Sequence, residues 1–240
     1  MLAALALAQI GFVTDVVSES QGSALLETLV GILVATTAHL LSSIILFRLG
    51  LVLWRSHPQG PLISLLGAIL HIVSPAGIFL SAPYGESGCS LFVFAGYLLY
   101  AHSCISAKSV VGDGYLVLAG LSFGLAIPFR SNGILNGIPF AWEAVKLASA
   151  LASALSGYGR ERNRELTTEL SVAVAVRRLL ALGIGGVTVA AGSFVPQFVA
   201  YQRYCVDPLD GAAEALGMLR RPWCEGYMPS IYTFVQDHYW

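Results

Sequence analysis

Charged residues are scarce in this sequence of 240 amino acids. Asp, Glu, Lys and Arg together make up 11% of it, and the formal net charge is −1. A soluble domain carries about 25% charged residues, and a protein that binds nucleic acid needs a dense basic surface. Because 56% of the residues are hydrophobic and the mean hydropathy is +0.72, the composition predicts a membrane protein and argues against nucleic acid as a partner.

Several common functional motifs are also absent. The sequence has no internal repeat, glycine-rich phosphate loop, coiled-coil heptad or Asn-x-Ser/Thr sequon. It has no CxxC pair and no cluster of histidines, so a zinc site has little support, and we expect neither a metal nor a cofactor. The first twelve residues, MLAALALAQIGF, lack the positive start of a secretory signal peptide.

Long apolar runs are what the sequence has instead. Five are long enough to cross a bilayer, at about 25–47, 62–82, 88–107, 134–155 and 179–201. A sixth run, 115–129, would cover only part of the thickness, which is tolerated where a break is buried in protein or lines a wet cavity. The pattern predicts an all-α polytopic membrane protein with about six membrane segments.

Basic residues in the predicted loops set an orientation, because Lys and Arg accumulate in cytosolic loops. Loops 48–61, 108–114 and 156–178 hold eight of them: Arg48, Arg55, Lys108, Arg160, Arg162, Arg164, Arg177 and Arg178. The opposite side holds four: Arg130, Arg203, Arg220 and Arg221. We therefore place the first set of loops in the cytosol.

This orientation divides the chain into three parts. Residues 25–201 form the membrane helix domain, and residues 202–240 form a loop rich in aromatic residues and cysteine on the non-cytosolic side. Residues 1–24 also lie on that side, which requires either a missing upstream helix or an N-out insertion. We interpret them as the remnant of a longer N-terminal region.

Two polar stretches lie at membrane edges on the non-cytosolic side. In SPAGIFLSAPYGES, residues 74–87, proline interrupts a helix and brings Tyr84 and Glu86 to the surface. A kinked helix with a solvated glutamate is the alternative. In FRSNG, Arg130 follows the half-length segment, where a guanidinium can bind an anionic headgroup or a phosphate. The alternative is a snorkelling interfacial arginine followed by a turn at Asn132.

Charges inside the apolar runs call for partners. Glu143 and Lys146 lie one helical turn apart in WEAVK, so they can neutralise each other. An unpaired charge at mid-membrane costs about 2.5–3.5 kcal/mol on insertion scales, which favours this pairing. His39, alone in an apolar run, is interpreted as a packed polar residue.

The last twenty residues, RPWCEGYMPSIYTFVQDHYW, contain six aromatic residues. They are interpreted either as membrane-interface anchors or as a surface that stacks on sugar rings or lipid. Cys205 and Cys224 lie on the same non-cytosolic side and are candidates for a disulfide. Cys89 and Cys104 lie in predicted helices.

The order of these stretches resembles the PIG-V family, the second GPI mannosyltransferases of the endoplasmic reticulum (ER), from about residue 25 to residue 240. The resemblance implies a GT-C-type multi-pass ER membrane enzyme with a lumenal site. Such enzymes transfer an α-1,6-linked mannose, with inversion, from dolichol-phosphate-mannose to the GPI lipid precursor. The donor lipid is a substrate, and a small accessory membrane subunit is a further expected partner.

The residues that match the family pattern are Ser74, Pro75, Tyr84, Glu86, Arg130, Ser131, Asn132, Gly133, Trp223, Cys224, Gln236, Tyr239 and Trp240. The resemblance implies substrate binding by a subset of them: Tyr84, Glu86, Arg130, Asn132, Trp223, Gln236, Tyr239 and Trp240. It also implies that the aromatic tail is an internal lumenal loop, so the chain is expected to be a fragment that lacks C-terminal helices.

One family motif is missing. An Arg-Trp-Asp motif in the first lumenal loop supplies the usual candidate base, and the sequence has none; Asp15 does not match it. Glu86 is the best remaining acidic candidate, and we expect the fragment to be inactive alone. The alternatives are another lipid-linked sugar transferase, or a transporter or scaffold subunit whose broken helices form a path, although no second related half is visible.

Overall fold

The computed structural model describes residues 21–74, 77–156, 172–206, 222–224 and 234. These residues form seven α-helices, with no strand among them. The helices are α1 (Gln21–Leu53), α2 (Gly60–Ile72), α3 (Gly77–Ser81), α4 (Gly85–Ile105), α5 (Val110–Ala126), α6 (Ile138–Ser156) and α7 (Val172–Tyr201). Shorter turns complete the described part: a 3-10 segment (Ser131–Gly137), a π turn (Gln202–Val206) and a 3-10 turn (Pro222–Cys224). The all-α class is confirmed.

In the part of the chain that the structure describes, three helices are long and apolar enough to cross a membrane: Leu26–Leu53 within α1, Gly85–Ile105 and Val172–Tyr201. Helices α2 and α5 are apolar but shorter. At about 1.5 Å per residue, the 21 residues of α4 reach about 31 Å, close to the thickness of a bilayer core. These lengths support a membrane protein.

Helix α5 lies between α4 and α7 and carries the centre of the core. Leu116, Ala119, Phe123 and Ile127 are buried on its inner face, and Phe140 of α6 joins their cluster. On the α7 side the packing is close: an added Cβ at Gly120 would lie 2.4 Å from the Cα of Gly185. Small residues allow membrane helices to approach in this way.

The segment expected at 62–82 is not one helix. Helix α2 ends at Ile72, and α3 begins at Gly77. The residue before a proline is disfavoured in helical conformation, which accounts for a break at Ser74-Pro75. Likewise, the expected 134–155 helix begins only at Ile138, after the 3-10 segment.

The expected loop 156–178 is also shorter than the sequence indicated. Helix α7 begins at Val172, so Arg177 and Arg178 lie within it, and Arg48 lies within α1. The orientation inferred from loop charges therefore rests on fewer residues. The reason is that both arginines have carboxylate partners in the bundle, which let them lie in an apolar helix.

His39 packs as a polar residue between α1 and α2. Its ring centroid lies 5.0 Å from that of His71, and His71 Nε2 is 3.1 Å from Ser42 Oγ. The Nδ1 atom of His39 is buried and has no hydrogen-bond partner among the described residues.

Candidate functional site

Glu86 and Arg130, two of the residues singled out in the sequence, form an ion pair. Arg130 Nη1 donates to Glu86 Oε1 over 3.1 Å. Both side chains are partly exposed, at 49% for Arg130 and 30% for Glu86. The structure thus brings together the SPAGIFLSAPYGES and FRSNG stretches, which are separate in sequence, and leaves both charged groups accessible.

Glycines make this approach of α4 to the end of α5 feasible. An added Cβ at Gly85 would lie 2.5 Å from the carbonyl oxygen of Phe129, and one at Gly88 would lie 2.5 Å from the Phe129 ring. Both distances are too short for a real side chain. Phe129 therefore packs directly on the first turns of α4, which places Arg130 beside Glu86.

The turn after α5 presents Arg130 in extended backbone. Its N–H donates to the carbonyl of Ala126 over 3.2 Å, and its own carbonyl accepts from Gly133 over 2.8 Å. Arg130 thus lies at the start of the 3-10 segment, with φ −147° and ψ 123°. Asn132 follows in that segment and is exposed.

Tyr84 precedes α4 directly and is 58% exposed. Its ring lies 5.7 Å from that of Phe79 in α3. With Glu86, Arg130 and Asn132 it forms what we call the edge site, at the end of the bundle where α4 begins and α5 ends. The edge site offers a guanidinium, a carboxylate, a carboxamide and an aromatic hydroxyl.

The remaining site residues come from the C-terminal part of the chain. Trp223 is buried, with 7% exposed. Cys205 and Cys224 form a disulfide with Cα atoms 5.6 Å apart, which joins the π turn after α7 to the Pro222–Cys224 turn. Cys89 and Cys104 are free. Gln236, Tyr239 and Trp240 lie outside the described residues, so their substrate-binding role stays a prediction.

A second polar cluster, which we call the buried network, was not foreseen. Arg178 Nε donates to Glu143 Oε1 over 2.6 Å, and Tyr100 Oη donates to Glu143 Oε2 over 2.7 Å. Arg178 also donates to Ser103 Oγ over 3.1 Å. The expected pairing of Glu143 with Lys146 is therefore wrong, because Glu143 faces α4 and α7.

A third ion pair links the starts of α5 and α7. Arg177 donates through Nε to Asp113, and through Nη2 to the carbonyl of Lys108 over 3.1 Å. Asp113 lies in the first turn of α5, where the helix dipole stabilises a negative charge. Among the described residues, no group of three or more His, Cys, Asp or Glu could hold a metal ion.

Comparison with known proteins identifies relatives. The family described as Mannosyltransferase (PIG-V) matches residues 15–240. The chain is 48% identical over 224 residues to GPI mannosyltransferase 2 of Chaetomium globosum, covering 89% of this chain and 44% of the relative. It is 38% identical to GPI mannosyltransferase 2 of Aspergillus oryzae, covering 90% of this chain and 45% of the relative.

A mammalian relative is more distant. GPI alpha-1,6-mannosyltransferase 2 of Rattus norvegicus is 26% identical over 230 residues, covering 90% of this chain and 39% of that protein. The chain therefore spans less than half the length of these curated relatives. No solved structure matches.

Proposed function

Because the chain belongs to the PIG-V mannosyltransferase family, we propose that it forms part of an enzyme that adds the second, α-1,6-linked mannose to the GPI-anchor precursor. The donor is dolichol-phosphate-mannose, and the reaction takes place on the lumenal side of the ER membrane. The family match and the names of the relatives support this function. A small accessory membrane subunit belongs to the proposal as a partner.

The proposed architecture is a GT-C-type arrangement with six membrane segments. They are α1, the α2–α3 pair, α4, the short α5, α6 and α7. Residues 83–87 and 202–240 are lumenal and residues 157–171 are cytosolic. Glycosylation sequons inserted one at a time report this topology. Modification within 157–171, with none after residue 202, would reverse the orientation.

The edge site is the observation that carries the proposal. Arg130 offers Glu86 one of its two terminal nitrogens, and its half-exposed guanidinium has the planar donors that bind phosphate in bidentate fashion. A lipid-linked phosphate arriving at the membrane surface competes with Glu86 for Arg130. Phosphate binding thus frees a carboxylate next to the sugar that is being transferred.

The chemical step assigns a role to each group. In an inverting transfer, the acceptor hydroxyl oxygen bonds to C1 of mannose while the bond from C1 to the phosphate oxygen breaks. The electron pair leaves with dolichyl phosphate, whose charge Arg130 stabilises. A carboxylate takes the hydroxyl proton. Since the Arg-Trp-Asp motif is absent from the chain, we assign Glu86 to holding the acceptor hydroxyls, and the base to the part of the relatives' length that this chain does not cover.

Complementation tests the proposal in cells that lack the second GPI mannosyltransferase. One arm expresses residues 1–240. The other expresses what we call the extended protein, in which this chain replaces the matching part of the Chaetomium globosum relative, 44% of its length. We expect GPI-anchored proteins at the cell surface only with the extended protein, because general-base assistance is worth about 10²–10⁴ in rate.

Two outcomes would contradict this. Rescue by residues 1–240 alone would assign the base to the chain itself and make Glu86→Gln the next variant. No rescue by an extended protein that is abundant in the ER membrane, when the unmodified relative does rescue, would refute the proposed function.

A further inference from the structure

The buried network is built from three helices. Glu143 of α6 accepts from Arg178 of α7 through one oxygen and from Tyr100 of α4 through the other. Arg178 continues to Ser103 of α4 through its Nη2 atom. The Arg178 side chain is 4% exposed. Ionisable side chains buried among apolar helices are rare and commonly functional. The proposed chemistry does not use Arg178 or Glu143.

Helix α4 takes part in both polar clusters. Helix α4 carries Glu86 in its first turn and Tyr100 near its other end. Arg130 starts the 3-10 segment, which continues directly into α6 and leads to Glu143. The edge pair joins residues 44 apart in sequence, and the Tyr100–Glu143 contact joins residues 43 apart. Both contacts therefore belong to one register between α4 and the 130–143 segment.

The lengths agree with this register. From Glu86 to Tyr100 an α-helix rises about 21 Å. From Arg130 to Glu143 the chain rises about 23 Å, since a 3-10 turn rises about 2.0 Å per residue. Beside the Tyr100–Glu143 contact, Phe140 packs on the Tyr100 ring, with ring centroids 5.8 Å apart. A slip of one residue would displace Arg130 by about 1.5 Å relative to Glu86.

We propose that Glu143, Arg178 and Tyr100 are positioning residues for the edge site. The network joins α6 to α4 and α7 at one height, and α6 adds to the packing of Phe129 in holding Arg130 at the distance from Glu86 at which a phosphate can replace Glu86 on the guanidinium. This inference rests on the proposed function for its substrate. Its geometric part is independent of that function.

The geometric part is tested by cross-linking. In residues 1–240 with free Cys89 and Cys104 replaced by alanine, Glu86→Cys and Arg130→Cys remove the edge pair, so that the packing of Phe129 and the buried network remain to hold the two positions together. A short bis-thiol reagent should join the two cysteines readily. Glu143→Gln should slow this cross-link several-fold, whereas Asp113→Asn, which breaks the α5–α7 pair instead, should not. Equal rates in all three backgrounds would overturn the proposal.

The functional part is tested by a double-mutant cycle in the extended protein. Tyr100→Phe removes one hydroxyl and spares the fold; we expect a loss of about tenfold in kcat/KM, mainly as a raised KM for dolichol-phosphate-mannose. In the double variant with Arg130→Lys, the loss in kcat/KM should be about tenfold smaller than the product of the two single losses, as expected for coupled sites. Tyr97→Phe, one turn away on α4, is the matched control and should combine with Arg130→Lys multiplicatively.

The outcomes separate the two proposals. If Tyr100→Phe leaves KM unchanged at normal abundance, or if its effect multiplies with that of Arg130→Lys, the positioning role is wrong while the mannosyltransferase function stands. If the parent extended protein transfers no mannose but Glu143→Gln slows the cross-link, the function is wrong and the register role stands.

Discussion

The edge pair and the buried pair use the same chemistry in different surroundings. Arg130 and Glu86 are partly exposed, whereas Arg178 is almost fully enclosed. An exposed ion pair is worth about 0–1 kcal/mol. Removing one partner of a buried pair costs about 3–5 kcal/mol, because the other charge is left without compensation. A ligand can therefore open the edge pair, whereas opening the buried pair would leave a charge uncompensated inside the bundle.

Breaking the buried pair should have the largest effect. Arg178→Ala leaves the Glu143 carboxylate with only the Tyr100 hydroxyl, and we expect about 3–5 kcal/mol less stability. Arg130→Ala should cost less than about 1 kcal/mol. Thermal unfolding in detergent measures both. Replacing the pair together, as Glu143→Leu with Arg178→Met, should recover much of the loss; equal effects at the two pairs would refute the distinction.

The disulfide gives the exposed end of α7 a covalent cross-link at the opposite end from Arg178. Cys205 and Cys224 are 19 residues apart, and closing such a loop stabilises by about 3 kcal/mol. Cys224→Ser should lower the free energy of unfolding by that amount and leave the buried network unchanged. Mass spectrometry of non-reduced peptides detects the bridge. Alkylation of both thiols without prior reduction would contradict it.

A substitution at Gly85 tests how closely the edge site depends on packing. Gly85→Ala adds a Cβ that meets the Phe129 carbonyl. Overpacking of this kind costs about 1–3 kcal/mol, and it should move Arg130 and lower activity of the extended protein. Gly114→Ala is the matched control, since nothing lies within 4 Å of that position. Similar activity of the two variants would exclude close packing as the determinant.

Arg130→Lys should have the smallest effect on stability and a clear effect on activity. A lysine keeps the charge but lacks the planar fork that binds phosphate. We expect about a tenfold loss of mannosyl transfer in the extended protein, with unfolding unchanged within about 0.5 kcal/mol. Assays in isolated microsomes measure the transfer. Full retention of activity would favour the interpretation of Arg130 as a snorkelling residue.

Local features could be predicted from the sequence. The break before α3 follows from Ser74-Pro75, and the turn at Arg130 follows from the end of a short apolar run. Cysteine placement on one side pointed to the 205–224 pair, which the structure contains. Each of these features depends on local backbone preference or on the order of segments along the chain, and both can be read from a single sequence.

Partner choice across the bundle could not be predicted. Glu143 has Lys146 one turn away, yet it bonds to Arg178, 35 residues along the chain. Helical spacing shows which residues share a face, but the rotation of α6 against α7 decides which face is inside. A signal was present: two adjacent arginines beside an apolar run, opposite an acidic residue in the preceding one. The same holds for Glu86 and Arg130, whose contact depends on Phe129 packing over two glycines.

The shortness of α5 has a consequence for the surrounding lipid. Its 17 residues rise about 26 Å, less than the hydrocarbon thickness of about 30 Å, while α7 beside it runs for 30 residues. A bilayer adapts to such a hydrophobic mismatch by thinning at the short helix. The headgroup layer should therefore dip at the end of α5, so that the phosphate of the proposed lipid donor reaches Arg130 without being lifted out of its leaflet.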